Sequence, residues 1–428
     1  MNKGDNLGLF RKFAYSSGYL GTMLVGELAV MWIIFFYAPP EGMVFAPILL
    51  VGGVVFFGRI VDAIADPLVG HFSDKSKSRF GRRIPFIAVG TPFLVIAWVL
   101  IFHPPVAAES AINALYLAVV LGFFWIFFTV VVAPHLALLP ELVSTRRERI
   151  NLATYLAIFG ILGLFIAFLG SGFLIEHFDF GVMAIVMGAI AFISFYMPVV
   201  FIRETPWSRA KEVSLSLTEA IKHCLTNRPF LYYVSAFAIF LMMGIAVVTA
   251  AVPFIVTVLM GVGEEWAGYA LGIMTGVALL SFPIINYLAK RFGKKTVFAA
   301  SMLLFSILAS MLGTIGVFPF APFHHGLFLI ALMGVAVSSF LMLPHAIIAD
   351  IIDHDETITG FRREAIYYGV QGLVQKSGIG VSALIFTLLL HLFGKTAAEP
   401  LGVTLAGPVA GIIAFIGFLV FLKYPFGK

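Results

Sequence analysis

The amino-acid sequence consists of twelve long apolar blocks separated by short polar segments. Each block has about 20 residues or more, the length at which an α-helix crosses the roughly 30 Å hydrocarbon core of a bilayer. Lipid offers the backbone no hydrogen bonds, so these segments have to be helical. The predicted spans are 13–37, 45–72, 84–103, 111–139, 150–175, 181–202, 230–260, 265–290, 295–318, 323–352, 364–392 and 402–424. The pattern predicts an all-α polytopic membrane protein.

Composition excludes an ordinary soluble domain. Charged residues are 11% of the 428-residue chain, whereas soluble domains have roughly 25%. The only cysteine is Cys224, which excludes an internal disulfide. No phosphate-binding loop of the GxxxxGK[ST] pattern is present, so transport driven by ATP is not indicated. We expect neither a cofactor nor an enzymatic activity.

The basic residues indicate how the chain crosses the membrane. Of the 27 Lys and Arg residues, nearly all lie in the two termini and in the loops after even-numbered spans. Lys395 lies on the other side, and Arg59 and Lys376 lie within spans. The positive-inside rule therefore predicts that both termini are cytoplasmic. We expect a monomer in the plasma membrane, or in the inner membrane of a bacterium, with a small solute and lipid as partners and no nucleic acid.

Two motifs recur at nearly the same distance. RFGRR at 79–83 and RFGKK at 291–295 lie 212 residues apart, and Pro134-His135 and Pro344-His345 lie 210 apart. Together they predict a duplicated six-helix unit, with a solute site between the halves near the middle of the membrane. A polar stretch with a capping-box pattern at 216–219 separates the halves. The predicted domains are an N-terminal six-helix bundle at 1–202, a cytoplasmic linker at 203–229 and a C-terminal six-helix bundle at 230–428.

Span 2 contains three charged residues that lipid disfavours. Arg59, Asp62 and Asp66 follow the spacing i, i+3, i+7, so they share one helix face. Each ionised side chain in lipid costs about 2.5–3.5 kcal/mol or more without a partner. Pro67 clashes with the carbonyl of Ala63, which frees that oxygen beside the carboxylates. Such oxygens suit a hard cation or a proton, although a purely structural Arg–Asp cluster is the alternative.

Other polar residues inside spans are candidates for coupling and solute binding. Lys376 in span 11 can pair with an aspartate of span 2 in one conformation, which would couple the halves, and Gln371 lies in the same span. Glu27 in span 1 is a candidate for solute binding, proton transfer or a neighbouring hydrogen bond. His135 and His345 suit solute binding or proton relay, with a satisfied core histidine as the alternative.

Three runs of sequence resemble a known family. They are GRIVDAIADPLVGHFSDKSKSRFGRRIPFI, PHLALLPELVSTRRERINL, and LPHAIIADIIDHDE followed by RREAIYYGVQGLVQK. They are similar to the glycoside-pentoside-hexuronide:cation symporters, the melibiose-permease-like branch of the major facilitator superfamily. The resemblance covers most of the chain. It implies the major facilitator fold and symport of a solute with a cation by alternating access.

The resemblance also assigns roles to residues. Asp62, Asp66 and Thr129 match the family's cation-binding positions, and Lys376 matches a lysine important for coupling. Two further matches are Arg59, which we assign to coupling, and Gln371, which we assign to solute binding.

The positions that bind sugar in melibiose permease, a member of the resembled family, differ here, and Met23 and Val132 at these positions are candidates for the solute site. Met23, Val132 and Ala157 replace two aspartates and an arginine. A site without these polar groups is not expected to hold melibiose well. Glu27, four residues after Met23, and His135, three residues after Val132, can replace the lost groups on the same helix faces.

The coupling ion is H⁺ or Na⁺. Val132 and Ala65 remove two candidate oxygen ligands for Na⁺, whereas a proton needs one buried carboxylate, so H⁺ is favoured. Apart from Na⁺ at Asp62 and Asp66, no metal site is predicted.

The sequence therefore predicts a symporter of a sugar, a glycoside or a related small organic solute. An amphipathic solute such as a lysophospholipid is the alternative, because the vertebrate lysophosphatidylcholine transporter resembles the same family. A remote alternative is an intramembrane enzyme or sensor that uses Asp62 and Asp66 as an acid pair.

Overall fold

The computed structural model describes residues 7–76, 78, 81–143, 145–204, 224, 226–360 and 364–426. Within these residues the chain forms twelve helices long and apolar enough to cross a membrane, which confirms the predicted number. They are α1 Leu9–Tyr37, α2 Ile48–Lys75, α3 Ile84–Ile101, α4 Ala111–Ala137, α5 Arg146–His177, α6 Phe180–Phe201, α7 Arg228–Leu259, α8 Glu265–Phe292, α9 Lys294–Met311, α10 Pro322–Thr359, α11 Glu364–Phe393 and α12 Leu401–Leu422.

Several helices differ from their predicted bounds; α9, for example, ends at Met311 and not at 318. Two of them, α2 and α10, differ for local reasons that the structure shows. α2 begins three residues later than predicted, because Pro47 precedes it in extended backbone with φ −55° and ψ 129°. α10 continues past the apolar block, which ends near 352, and stops at Gly360, whose φ of 72° is left-handed. Polar residues at 353–356 keep the helical conformation there, since a helix ends where backbone geometry changes and not where hydropathy falls.

The helices divide into two compact units. The first contains α1, the part of α2 from Phe57 onward, and α3 to α6. The second contains α7 to α12 together with Ala38–Gly42 and Ile48–Phe56, so the first turns of α2 belong to it. Most of the predicted linker, including the capping-box pattern at 216–219, lies outside the described residues.

The described residues of the two recurring motifs, 81–83 and 291–295, share two local features. Gly81 and Gly293, at equivalent positions of the two motifs, have φ values of 104° and 86°, which glycine adopts without strain. In the first unit Arg82 forms an ion pair of 2.9 Å with Glu141, close after α4. In the second unit Lys294 pairs with Asp350, near the end of α10. A basic residue after the glycine therefore meets an acid at the same place in both units.

A second recurring contact lies deeper in each unit. The hydroxyl of Tyr15 in α1 donates to the carbonyl of His135 in α4 at 3.1 Å. The hydroxyl of Tyr233 in α7 donates to the carbonyl of Pro344 in α10 at 3.3 Å. The first helix of each unit is thus bonded to its fourth helix at the Pro-His step, where proline disturbs the regular helical bonding.

Glu204, just after α6, caps the beginning of α3. Its carboxylate accepts hydrogen bonds from the backbone N–H groups of Arg82, Arg83 and Ile84 at 2.5, 2.6 and 2.7 Å. A helix N-terminus has unsatisfied N–H groups and a partial positive charge, so a carboxylate is a favourable partner. A Cβ atom on Gly81 would lie 2.4 Å from the carboxyl carbon of Glu204, so only glycine leaves room for this cap.

Candidate functional site

Four side chains of the first unit form a cluster that we call the acid cluster: Arg59, Asp62, Asp66 and Thr129. The Thr129 hydroxyl lies 2.9 Å from Oδ1 of Asp62 and 3.3 Å from Oδ1 of Asp66. Asp62 and Thr129 are buried, and Asp66 is half-buried. A threonine hydroxyl carries one hydrogen, so it donates to one carboxylate at a time. Thr129 therefore connects α4 to both aspartates of α2.

Arg59 lies beside the other carboxylate oxygen of Asp62, Oδ2. Nη1 of Arg59 lies 3.5 Å from Oδ2 of Asp62, and the two side chains are 9% and 0% exposed. Asp62 thus uses Oδ1 for Thr129 and Oδ2 for Arg59. A buried carboxylate needs such a compensating charge, because burial alone costs several kcal/mol.

The helical spacing of α2 brings the three charged residues together as predicted. Positions i, i+3 and i+7 lie on one face, and α2 runs without interruption through Pro67. Three oxygens from Asp62, Asp66 and Thr129 therefore converge. Carboxylate and hydroxyl oxygens of this kind can hold a small hard cation, or the carboxylates can hold a proton.

Trp125 is a member of this site that sequence reasoning did not select. Its ring centroid lies 3.8 Å from Cζ of Arg59, and its side chain is buried. Trp125 precedes Thr129 by four residues in α4, so both lie on one helix face. That spacing is the sequence signal that would have found it.

Glu27 lies near the acid cluster on α1. It is half-buried and interacts electrostatically with Arg59 and with Tyr19. The structure thus brings this predicted solute-site residue towards the guanidinium of Arg59.

The positions that differ from the resembled family have mixed surroundings. Met23 is half-buried beside α5, where a Cβ atom on Gly160 would lie 3.5 Å from Cγ of Met23. Val132 is buried, and Ala157 is exposed.

The two equivalent histidines have different environments. His135 is fully buried, and its Nε2 donates to the carbonyl of Tyr15 at 2.8 Å while the two rings stack. His345 is exposed, with its ring 6.3 Å from that of Tyr368. This geometry favours the core-histidine alternative for His135, and it leaves His345 available to a solute.

Gln371 and Lys376 lie on α11 in the second unit. The Tyr233 hydroxyl also lies 3.0 Å from Oε1 of Gln371, a second acceptor within reach of its single hydrogen, so this predicted solute-site residue lies beside α7. Lys376 is half-buried. Its role in coupling stays a prediction.

A family of known transporters matches nearly the whole chain. The model of the MFS/sugar transport proteins matches residues 14–421. The chain belongs to this family. It is a multi-pass membrane transporter of a small-molecule solute and not an enzyme, as the sequence predicted.

Two curated relatives of this transporter are symporters or sugar transporters by name. An isoprimeverose transporter of Lactiplantibacillus pentosus is 24% identical over 398 residues, covering 90% of this chain and 81% of that protein. A sodium-dependent lysophosphatidylcholine symporter 1 of Xenopus tropicalis is 23% identical over 433 residues, covering 88% and 80%.

A solved structure supports the fold. The crystal structure of a D-xylose-proton symporter matches with a TM-score of 0.73 and 16% identity, covering 97% of each chain. At this identity the likeness concerns the fold, and it confirms the predicted major facilitator architecture.

Proposed function

We propose that this transporter moves a sugar, a glycoside or a related small organic solute together with a monovalent cation by alternating access. The observation that supports this most directly is the convergence of Asp62, Asp66 and Thr129 beside Arg59 within a membrane-spanning helix pair. Two carboxylates and one guanidinium have a net charge of −1 when all are ionised. One monovalent cation neutralises that charge, so loading and release of the ion change the electrostatic energy of the site.

The proton is the favoured coupling ion. A proton needs one carboxylate, whereas Na⁺ prefers a larger set of oxygen ligands than three side-chain atoms provide. Ala65 and Val132 contribute no side-chain oxygen at the positions where the resembled family has polar residues. The Xenopus tropicalis relative is sodium-dependent by name, which supports Na⁺ instead. The experiment therefore includes both a proton gradient and a Na⁺ gradient.

A second candidate solute is a lysophospholipid. The lysophosphatidylcholine symporter relative covers 88% of this chain. Met23 and Val132 are apolar where the resemblance places aspartates of melibiose permease, and an acyl chain is a better partner than a hydroxylated ring for such side chains.

The basic residues support an orientation with both termini in the cytoplasm of the plasma membrane, or of the inner membrane in a bacterium. We propose that the monomer is the transporting species, because each chain has its own two units and its own acid cluster.

Uptake into proteoliposomes tests the proposal. Radiolabelled isoprimeverose, xylose, melibiose and lysophosphatidylcholine are offered under an inward proton gradient, an inward Na⁺ gradient, or neither. We expect one solute to accumulate only when one of the cation gradients is present. Asp66→Asn abolishes this accumulation, while Glu109→Gln, in an exposed loop residue, leaves it unchanged.

Two results contradict the proposal. Full gradient-driven uptake by Asp66→Asn would exclude the cation role of the acid cluster. Accumulation of lysophosphatidylcholine alone would exclude the sugar and favour the second candidate solute.

A further inference from the structure

The guanidinium of Arg59 is held by an aromatic ring as well as by an acid. Cζ of Arg59 lies 3.8 Å from the ring centroid of Trp125, and Nη1 lies 3.5 Å from Oδ2 of Asp62. The Trp125 side chain is 2% exposed. A cation over an indole face is stabilised most when both groups are removed from water.

The backbone of α2 is shaped to accept this ring. A Cβ atom on Gly58 would lie 2.9 Å from Cδ1 of Trp125 and 3.1 Å from two side-chain carbons of Leu121. A Cβ atom on Gly53, which lies earlier in the same helix, would meet nothing within 4 Å. Gly58 therefore leaves room for the indole directly beside Arg59.

The indole has no other polar role in the described part of the chain. Its Nε1 is buried and makes no hydrogen bond to any described residue. In contrast, Nε1 of Trp98, another buried tryptophan of the same unit, donates to the carbonyl of Ala184 at 2.9 Å. The Trp125 ring thus acts through its face, and that face meets Arg59.

Arg59 has an alternative position that would affect cation binding. Asp62 and Asp66 lie on the same face of α2, and a guanidinium has five donors that can bind two carboxylates at once. If Arg59 left the ring, it could lie between the aspartates and compete with an external cation. In the structure the guanidinium lies against the ring and beside Oδ2 of Asp62, whereas Thr129 lies at Oδ1.

We propose that Trp125 is a positioning residue that keeps Arg59 on the Oδ2 side of Asp62 and so raises the affinity of the acid cluster for the coupling cation. This inference rests on the proposed function, since it assigns to Trp125 the control of cation affinity. It adds a residue of α4 that does not touch the cation itself.

The test measures cation binding without any solute. The thermal midpoint of the purified transporter in detergent is followed against NaCl, with choline chloride keeping the ionic strength constant, and against pH in the absence of Na⁺. A cation that binds the folded state raises the midpoint by mass action. If the cation is Na⁺, Trp125→Leu raises the half-saturating Na⁺ concentration roughly tenfold. If it is H⁺, the variant lowers by about one unit the pH at which half of the midpoint change has occurred. Both effects have the size expected for a desolvated cation–π contact.

Three variants separate positioning from packing. Trp125→Phe keeps an aromatic face, so its cation affinity lies between those of wild type and Trp125→Leu. This variant replaces Trp125→Leu in the test if the leucine variant does not fold. Trp98→Leu lowers the midpoint temperature but leaves the half-saturating concentration unchanged. In an Arg59→Gln background, Trp125→Leu has no further effect on cation affinity, because no guanidinium remains to be held.

Different outcomes overturn different statements. A wild-type protein whose midpoint responds neither to Na⁺ nor to pH refutes the proposed function itself. If wild type responds to the cation, and Trp125→Leu and Trp125→Phe both fold and show the same cation affinity as wild type, only the role of Trp125 is refuted. An equal effect of Trp125→Leu with and without Arg59 also refutes it.

Discussion

The hydroxyl of Thr129 on α4 lies within hydrogen-bonding distance of Asp62 on α2, with its oxygen 2.9 Å from Oδ1. The same hydroxyl is 3.3 Å from Oδ1 of Asp66. It donates its single hydrogen to one carboxylate, and it can turn its lone pairs to a cation that enters between them. We therefore expect Thr129 to stabilise the acid cluster both with and without a bound cation.

Thr129→Val removes this hydroxyl while keeping the shape of the side chain. We expect the half-saturating concentration of the coupling cation to rise about tenfold or more, because a hydrogen bond to a charged group contributes about 1.5–3 kcal/mol. Cation-dependent uptake in proteoliposomes measures the change, and Thr129→Ser retains most of the affinity. The control is Thr91→Val, since the buried Thr91 hydroxyl donates to the carbonyl of Ile87 in its own helix. Equal cation affinity in wild type and Thr129→Val would exclude Thr129 from the site.

Glu204→Gln is expected to weaken the beginning of α3. The carboxylate accepts three backbone hydrogen bonds there, and the neutral amide loses the favourable interaction with the helix N-terminus. We expect a loss of about 1–2 kcal/mol, seen as a lower thermal midpoint in detergent. Glu109→Gln, in an exposed position, is the matched control. If both variants melt together with wild type, the cap contributes nothing measurable.

The twelve helices and the charged face of α2 could be predicted from the sequence because both depend on local periodicity. Arg59, Asp62 and Asp66 share a face whatever surrounds the helix. The contact of Arg59 with Trp125 and the cap by Glu204 could not be predicted in this way. Each joins segments more than 60 residues apart, and no local pattern determines which distant side chain makes the contact.

The duplicated Pro-His step shows another limit of sequence reasoning. Equal motifs favoured equal roles for His135 and His345, and the backbone contact at that step does recur in both units. The side chains differ because Tyr15 stacks on His135, whereas its counterpart Tyr233 stacks on Phe237, with its hydroxyl within hydrogen-bonding distance of Gln371. Side-chain environments diverge after duplication more readily than the backbone does.

Gly52→Val tests the packing of the first turns of α2 within the second unit. A Cβ atom on Gly52 would lie 1.9 Å from Oγ1 of Thr387, which is buried in α11. A valine there forces α2 or Thr387 to move, at an expected cost of about 1–3 kcal/mol. The matched control is Gly53→Val, because a Cβ atom at Gly53 meets nothing within 4 Å. Thermal midpoints compare the two variants, and equal midpoints would contradict the close approach of Gly52 to α11.

His135→Leu is expected to change stability and His345→Leu solute recognition, although the two residues occupy equivalent places in the repeat. His135→Leu removes the bond from Nε2 to the Tyr15 carbonyl inside the first unit and should lower the free energy of unfolding by about 1–3 kcal/mol. His345→Leu changes an exposed side chain, so stability stays within about 0.5 kcal/mol of wild type, and any effect falls on the solute KM. Thermal midpoints and uptake kinetics, measured on both variants, separate these effects. A normal thermal midpoint with a raised solute KM in His135→Leu would show that His135 contacts the solute, because a purely structural histidine changes stability before it changes recognition.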